Sequence, residues 1–277
     1  MVKSDRDELW EINAKWWQEG FSDGADPEYE EQIIPMALAR LRGAKRVLDV
    51  GTGEGQLARL AIQAGAELVA GIDPTWAQVT VAEQKAGGPA YIQSEAAALP
   101  FPDASFDAVL ACLVFEHIEA VDAAIAEVGR VLEPGGRFVF FLNHPLLQTP
   151  GSGWIDDHII DEQYWRIGPY LTESNEIEEV EKNVFIPFVH RPMSRYVNAM
   201  AAHGLLVTEM AEPTPPAGFL AKAAEYRDAS TIPRLLLLHA TKFAGIVGGG
   251  PAHAVVEGPS DAAVGAPASA VVGEPRA

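Results

Sequence analysis

The residues best placed to do chemistry lie in one short run, Val47-Leu48-Asp49-Val50-Gly51-Thr52-Gly53-Glu54-Gly55-Gln56. An apolar, β-branched stretch leads into three alternating glycines. Glycine lets backbone pass close to a ligand and takes φ values that other residues resist. A strand that ends in such a bend and then enters a helix sits where open α/β sheets bind ligands, at the carboxyl ends of their strands. Dinucleotide-binding proteins use a similar turn, but their G-x-G-x-x-G pattern asks for glycine or alanine at position 56. Gln56 stands there, and the acid Asp49 stands two residues before Gly51.

A second acid closes the next apolar run, in Ile72-Asp73-Pro74. A carboxylate at a strand end can accept both hydroxyl hydrogens of one sugar. The alternative is that Asp73 only caps the helix that follows. Three histidines are candidate general bases, because histidine titrates near neutral pH. His144 follows a predicted fifth strand and His117 a predicted fourth, both at ends that should face the ligand. The alternatives are packing of His117 on the next helix and a turn-shaping role for His144 before Pro145. His190, beside Arg191 and Pro192, is a candidate substrate contact. No His-x-x-x-His or paired-cysteine spacing points to a metal, and Asp156-Asp157-His158 with Asp161-Glu162 reads as a solvated acidic face.

The elements that must position these groups follow from periodicity. Residues 5–19 carry Leu9, Ile12 and Trp16 at near-helical spacing, with Trp10 and Trp17 widening the apolar face. A second helix over 27–41 opens with Pro27, well placed in a first turn. Short buried strands are expected at 46–50, 68–72, 90–93, 106–111 and 137–142. Helices alternate with them at 57–63, 76–85 (Thr75 as its N-cap) and 121–132. That alternation implies a parallel sheet with right-handed crossovers. Pro134-Gly135-Gly136 reads as a helix stop before the fifth strand. Residues 193–202 form a further helix, and 205–210 and 235–240 the last two strands, paired at one edge.

Residues 144–191 break the rhythm. The segment is long, acidic and aromatic, so it is expected to be an ordered lid or insertion. Trp154, Tyr164, Trp165 and Tyr170 could line an acceptor pocket; the alternative is that they anchor the insertion. The N-terminal tryptophans could close over a ligand or simply pack in the core. From residue 244 the chain is Gly, Ala, Pro and Val with little periodicity, the composition of a disordered tail.

Composition bounds the rest. Of 277 residues 48% are hydrophobic, enough for one large α/β domain over 1–243. The formal net charge is −19, which argues against nucleic acid and anionic membranes and permits neutral or cationic small molecules. No apolar run is long enough to cross a bilayer, and no signal-peptide core is present near the first residues. The single cysteine, Cys112, excludes an intrachain disulfide and fits a reducing, cytoplasmic setting.

The run from Asp49 to Gly55 resembles motif I of the class I S-adenosylmethionine-dependent methyltransferases, D-x-G-x-G-x-G. Ser94-Glu95-Ala96-Ala97-Ala98-Leu99-Pro100-Phe101 is similar to their G-D-A-x-x-L-P-F segment, with Glu for Asp and Ser for Gly. Leu132-Glu133-Pro134-Gly135-Gly136 is similar to their turn before the fifth strand. The resemblance covers about residues 45–143 and is strongest to the subgroup that includes ubiquinone and menaquinone biosynthesis methyltransferases. It implies a doubly wound, mostly parallel seven-stranded α/β sheet of Rossmann-like methyltransferase fold. Outside that stretch, the periodicity and composition given above add a helical cap over 1–42 and a substrate-side insertion over 144–191. The resemblance implies S-adenosyl-L-methionine as cofactor, held by Asp49, Gly51, Thr52, Gly53, Gln56, Asp73, Pro74, Glu95, Ala96, Cys112 and Leu113. Asp73 would take the ribose diol and Glu95 the adenine amino group. Activity would be methyl transfer to a small molecule, at oxygen or carbon, by a monomer or homodimer. The competing functions are a cofactor-binding module that transfers nothing and an NAD-dependent oxidoreductase, which Gln56 disfavours.

Overall fold

The computed structural model describes residues 5–243; the expected tail lies outside the described residues. Its centre is a seven-stranded sheet in the order β10-β11-β5-β4-β1-β2-β3. The strands are β1 (Arg46–Val50), β2 (Leu68–Asp73), β3 (Ala90–Gln93), β4 (Phe106–Cys112), β5 (Leu132–Asn143), β10 (Leu205–Ala211) and β11 (Leu235–Lys242). β1 to β5 run parallel, and β11 pairs antiparallel with both β5 and β10. The expected doubly wound sheet with a paired edge is therefore what forms.

The central strands are apolar on both faces because both faces are covered. Leu48, Val50, Val109 and Ala111 point into one core with Phe138, Phe140 and the helices α5 (Val121–Val131) and α6 (Met193–Ala202). Val47, Ala108, Leu110 and Phe141 point into the other with α2 (Ile34–Leu41) and α3 (Gln56–Gln63). This two-sided burial is why β1 and β4 read as continuous apolar runs. In α5, Val121, Ala124, Ile125 and Val128 stand at i, i+3, i+4 and i+7, one helical face, and are buried; Ile125 and Val128 each contribute roughly 1.5–3 kcal/mol by leaving water.

Three elements differ from expectation. The helix predicted over 27–41 divides into a π-helical turn, Tyr29–Ile33, and α2. Pro35 lies at the start of α2; it has no N–H and its ring cannot continue an i→i−4 ladder from the preceding turn. The stop at residues 134–136 loops out within β5: Phe106 pairs with Leu132 and Ala108 with Arg137. The insertion is ordered, as expected, but its elements are not assigned from sequence. It is two antiparallel hairpins, β6 (Gly153–Asp157) with β7 (Glu162–Arg166) and β8 (Ser174–Glu181) with β9 (Val184–His190). The β8–β9 turn places Asn183 at φ 65°, a conformation that tight hairpins demand and Asn tolerates.

α1 (Asp5–Phe21) lies between α4 (Trp76–Lys85) and β9 and touches both. Polar tethers hold it at each side. The Glu11 carboxylate accepts the N–H groups of Trp76 (2.9 Å) and Ala77 (3.0 Å). Asn13 Nδ2 donates to the Phe185 carbonyl at 3.0 Å. Thr75 occupies the N-cap position of α4 but its side chain makes no capping bond; Glu11 from another helix supplies the acceptor that Thr75 was expected to give.

Candidate functional site

The neighbours of β1 are β2 on one side and β4 on the other, so chain connections leave in opposite directions at its carboxyl end. A crevice opens at such a switch point. Here it is a cavity of about 400 Å³, within the range of small-molecule sites.

The glycine turn forms its floor. Gly51, Gly53 and Gly55 have φ of 69°, 54° and 86°. A Cβ on Gly51 would stand 2.3 Å from Val114 Cγ2, and one on Gly55 2.3 Å from the Tyr91 hydroxyl. Two of the three glycines therefore admit neighbouring side chains, and Gly51 and Gly53 also face the cavity. Leu113, the residue after β4, has φ 55°, a left-handed conformation that non-glycine residues hold only where the surroundings impose it. Its N–H donates to the Phe141 carbonyl at 3.0 Å, and the bend brings Val114 against Gly51.

Two acids organise the turn. Asp49 is buried and accepts the Thr52 hydroxyl at 2.7 Å. Burial pushes its carboxyl up to about 7, against the lowering effect of Thr52. Asp73 Oδ2 accepts the Gly53 N–H at 3.0 Å, and Oδ1 accepts the Thr75 N–H at 2.9 Å. Burial raises the Asp73 carboxyl as well, and those two N–H groups oppose the rise. A carboxylate has about four acceptor positions, so two remain for hydroxyl donors.

The roof comes from α1 and the second hairpin. Trp10 and Trp17, seven residues apart on one helical face, line the cavity together with Pro187 of β9. His117 Nδ1 lies 2.8 Å from the Pro187 carbonyl. A carbonyl only accepts, so Nδ1 carries the hydrogen and Nε2 is the basic nitrogen of the neutral ring. The imidazole sits edge-on to Trp10 (4.8 Å) and tilted against Phe188 (4.7 Å).

All eleven residues expected around the cofactor line this cavity, with Glu95 exposed at its rim. The structure adds Tyr29, Gln78, Pro187 and the N-terminal tryptophans. The spacing of Leu9, Ile12 and Trp16 signals α1, with Trp10 and Trp17 widening its apolar face; Pro187 has no such signal, because its position depends on hairpin pairing.

The other predicted residues lie elsewhere. His144 does not line the cavity and is almost fully buried. Its Nδ1 accepts the Leu146 N–H at 3.2 Å and its Nε2 meets Glu212 Oε1 at 2.7 Å. Both nitrogens are thus committed, with the hydrogen on Nε2. His190 Nε2 donates to the Tyr170 carbonyl at 2.8 Å, and the Tyr170 hydroxyl accepts the Met193 N–H at 2.9 Å. Trp154 packs on Trp165 across β6–β7 and stacks with Tyr226 at 5.1 Å. Tyr164 is exposed. These aromatics anchor the insertion, and none of Trp154, Tyr164, Trp165, Tyr170 or His190 reaches the cavity. Among the described residues no cluster of His, Cys, Asp and Glu suits a metal, and no helix is long and apolar enough to cross a membrane.

Comparison with known proteins agrees with this geometry. A family described as a methyltransferase domain matches residues 48–140. Over 124 residues the chain is 37% identical to a demethylmenaquinone methyltransferase of Thermus thermophilus, covering 43% of this chain and 55% of that protein. Over 133 residues it is 36% identical to the ubiquinone/menaquinone biosynthesis C-methyltransferase UbiE of Methylobacterium nodulans, covering 46% and 51%. The chain spans about half the length of the curated relatives it matches. An S-adenosylmethionine dependent methyltransferase from Mesorhizobium loti shares the fold with a TM-score of 0.66 at 27% identity, over 75% of this chain and 96% of that one.

Proposed function

We propose that this chain, which belongs to the class I S-adenosylmethionine-dependent methyltransferases, transfers a methyl group to oxygen or carbon of a small-molecule acceptor. The observation that carries this reading is Asp73, a buried carboxylate bonded to the Gly53 N–H and facing an open cavity. The donor set suits the cofactor. Asp73 keeps acceptor capacity for a diol, and the described lining includes carboxylates but no Lys or Arg, which favours a cationic sulfonium. When bound, the cofactor supplies an electrophilic methyl whose carbon–sulfur bond breaks on transfer, leaving a neutral thioether.

The chain supplies alignment and a dry site. Asp73 accepts the ribose hydroxyls, and Glu95 with the Ala96 N–H addresses the adenine edge. Asp49, Gly51, Thr52, Gly53, Gln56, Pro74, Cys112 and Leu113 form the remaining walls. Trp10 and Trp17 keep water out, so that proximity acts on a desolvated pair. His117 takes the acceptor's proton at Nε2 while Pro187 holds the hydrogen on Nδ1. His144 has no basic nitrogen to offer and is not assigned that role.

The names of the relatives include C-methyltransferases of quinone biosynthesis, which supports carbon as one acceptor atom. Residues 1–243 act as one catalytic domain, with 1–42 as its cap and 144–191 as an insertion that contributes Pro187. The single cysteine fits a cytoplasmic enzyme, read as a monomer or homodimer, and the net charge of −19 argues against nucleic-acid partners. Calorimetric titration tests the reading: S-adenosylmethionine and S-adenosylhomocysteine should give saturable heat and NAD none. Heat from NAD alone would overturn it.

A further inference from the structure

We propose that Arg191 is a positioning residue for this site: from the end of the second hairpin it grips the backbone turn that carries His117, and so sets how that imidazole is held. The inference rests on the assignment of His117 as the base and adds the group that keeps it in place.

The turn does not hold itself. Leu113, just before it, has φ 55°, and the 3₁₀ turn that follows spans only Phe115–His117. So short a turn leaves its last carbonyls without partners of its own, and a buried carbonyl left unpaired is costly. Arg191 supplies the donors. It is 3% exposed; its Nη1 donates to the Phe115 carbonyl at 3.3 Å, and its Nη2 to those of Ile118 (2.7 Å) and Glu119 (2.9 Å). Glu173 Oε2 stands 3.9 Å from Nε, too far for a hydrogen bond, so carbonyls rather than a carboxylate seat the guanidinium.

The ring and the backbone of the turn are held by one short segment. The Pro187 carbonyl takes His117 Nδ1 at 2.8 Å, and the Phe188 ring packs on the imidazole at 4.7 Å. Arg191, four residues after Pro187, holds carbonyls on both sides of His117. The end of β9 therefore fixes where the turn sits and which ring nitrogen carries the hydrogen. Lysine cannot replace Arg191 here, because one ammonium does not reproduce a planar fork that addresses three carbonyls through two nitrogens.

The test reads His117 directly, by ¹⁵N NMR of full-length protein labelled at the histidine rings. The protein is saturated with S-adenosylhomocysteine at about pH 8, where a histidine of ordinary pKa is neutral; His117→Gln identifies the signal. The unaltered protein should show mainly the Nδ1–H tautomer. In Arg191→Lys the ratio of Nδ1–H to Nε2–H should fall at least threefold, while S-adenosylhomocysteine still gives saturable heat. An unchanged ratio in that folded variant would overturn the inference and leave His117 as the base. A dominant Nε2–H tautomer in the unaltered protein would remove both. Where Arg191→Lys does not fold, native-state hydrogen exchange of the unaltered protein decides. The amides of His117 and Ile118, which donate to the Val114 and Phe115 carbonyls, should open together with those of β9 across a urea series. A separate opening of the turn would overturn the inference.

Discussion

Asp73, at the end of β2, accepts the backbone N–H of Gly53 through Oδ2 at 3.0 Å. One side chain thereby fixes the conformation of the turn after the neighbouring strand and still points into the cavity. The two roles weighed from sequence, ligand contact and local cap, are compatible: Oδ1 accepts the Thr75 N–H while the same carboxylate lines the site.

Replacing Asp73 with Ala should therefore weaken binding of S-adenosylhomocysteine by roughly 1–3 kcal/mol, the cost of losing charged hydrogen bonds. Titration calorimetry measures this directly. Asp73→Asn, which keeps one acceptor oxygen, should lie between the two. Unchanged affinity in both variants would remove Asp73 from the binding site.

Gly51→Ala forces a Cβ to within 2.3 Å of Val114 Cγ2 at φ 69°. Overpacking of this kind costs about 1–3 kcal/mol, visible as a lowered thermal midpoint. The double variant Gly51→Ala with Val114→Ala should recover part of the loss, since it removes the two closest contacts but leaves the Val114 Cβ at 3.0 Å and the backbone strain. No recovery would show that φ alone sets the requirement for glycine.

Glu116 is 3% exposed, and its Oε1 accepts both the Asn143 N–H (3.1 Å) and Nδ2 (3.0 Å). Burial pushes its carboxyl from 4.5 up to about 7, and that of Asp49 from 3.8 up to about 7. Between those values the unfolded chain has released both protons while the folded chain retains them. Folding therefore binds protons, and stability should fall as pH rises from about 4 to about 7, then level off. Glu116→Gln removes one titrating group and should make that decline shallower by up to about 3 kcal/mol. Urea unfolding at a series of pH values reads the slope; an unchanged slope would place the Glu116 titration elsewhere.

The two histidines after β4 and β5 should separate cleanly. His117→Ala should leave cofactor affinity nearly intact and, for a hydroxyl acceptor, lower kcat by roughly 10²–10⁴. His144→Ala should lower stability by breaking the contact with Glu212 while leaving kcat close to that of the unaltered protein. The reverse pattern would reinstate His144 as the base.

Much of this was legible in the sequence, for physical reasons. Val47 to Val50 is apolar because β1 is covered on both faces, and Gly51 and Gly55 are glycines because Val114 and Tyr91 pack against them. Those constraints act over a few residues and leave a local pattern. The role of Glu11 in capping α4 was not legible, because donor and acceptor are 65 residues apart. The insertion aromatics misled for a related cause. Trp154 and Trp165 have the composition of a ligand wall, yet they face each other as cross-strand partners. His117 and His144 looked equivalent, both just past a strand end. Their surroundings distinguish them: His117 lines the cavity with Nδ1 held by the Pro187 carbonyl, while His144 is buried away from it between the Leu146 N–H and Glu212.

The most direct measurement is a crystal structure of the protein soaked with S-adenosylhomocysteine. The account predicts density for the nucleoside in the cavity, with both ribose hydroxyls within hydrogen-bond distance of the Asp73 carboxylate and the thioether directed toward His117. Density for the ligand anywhere else, or a cavity beside Gly51 and Asp73 that stays empty at saturating ligand, would contradict it.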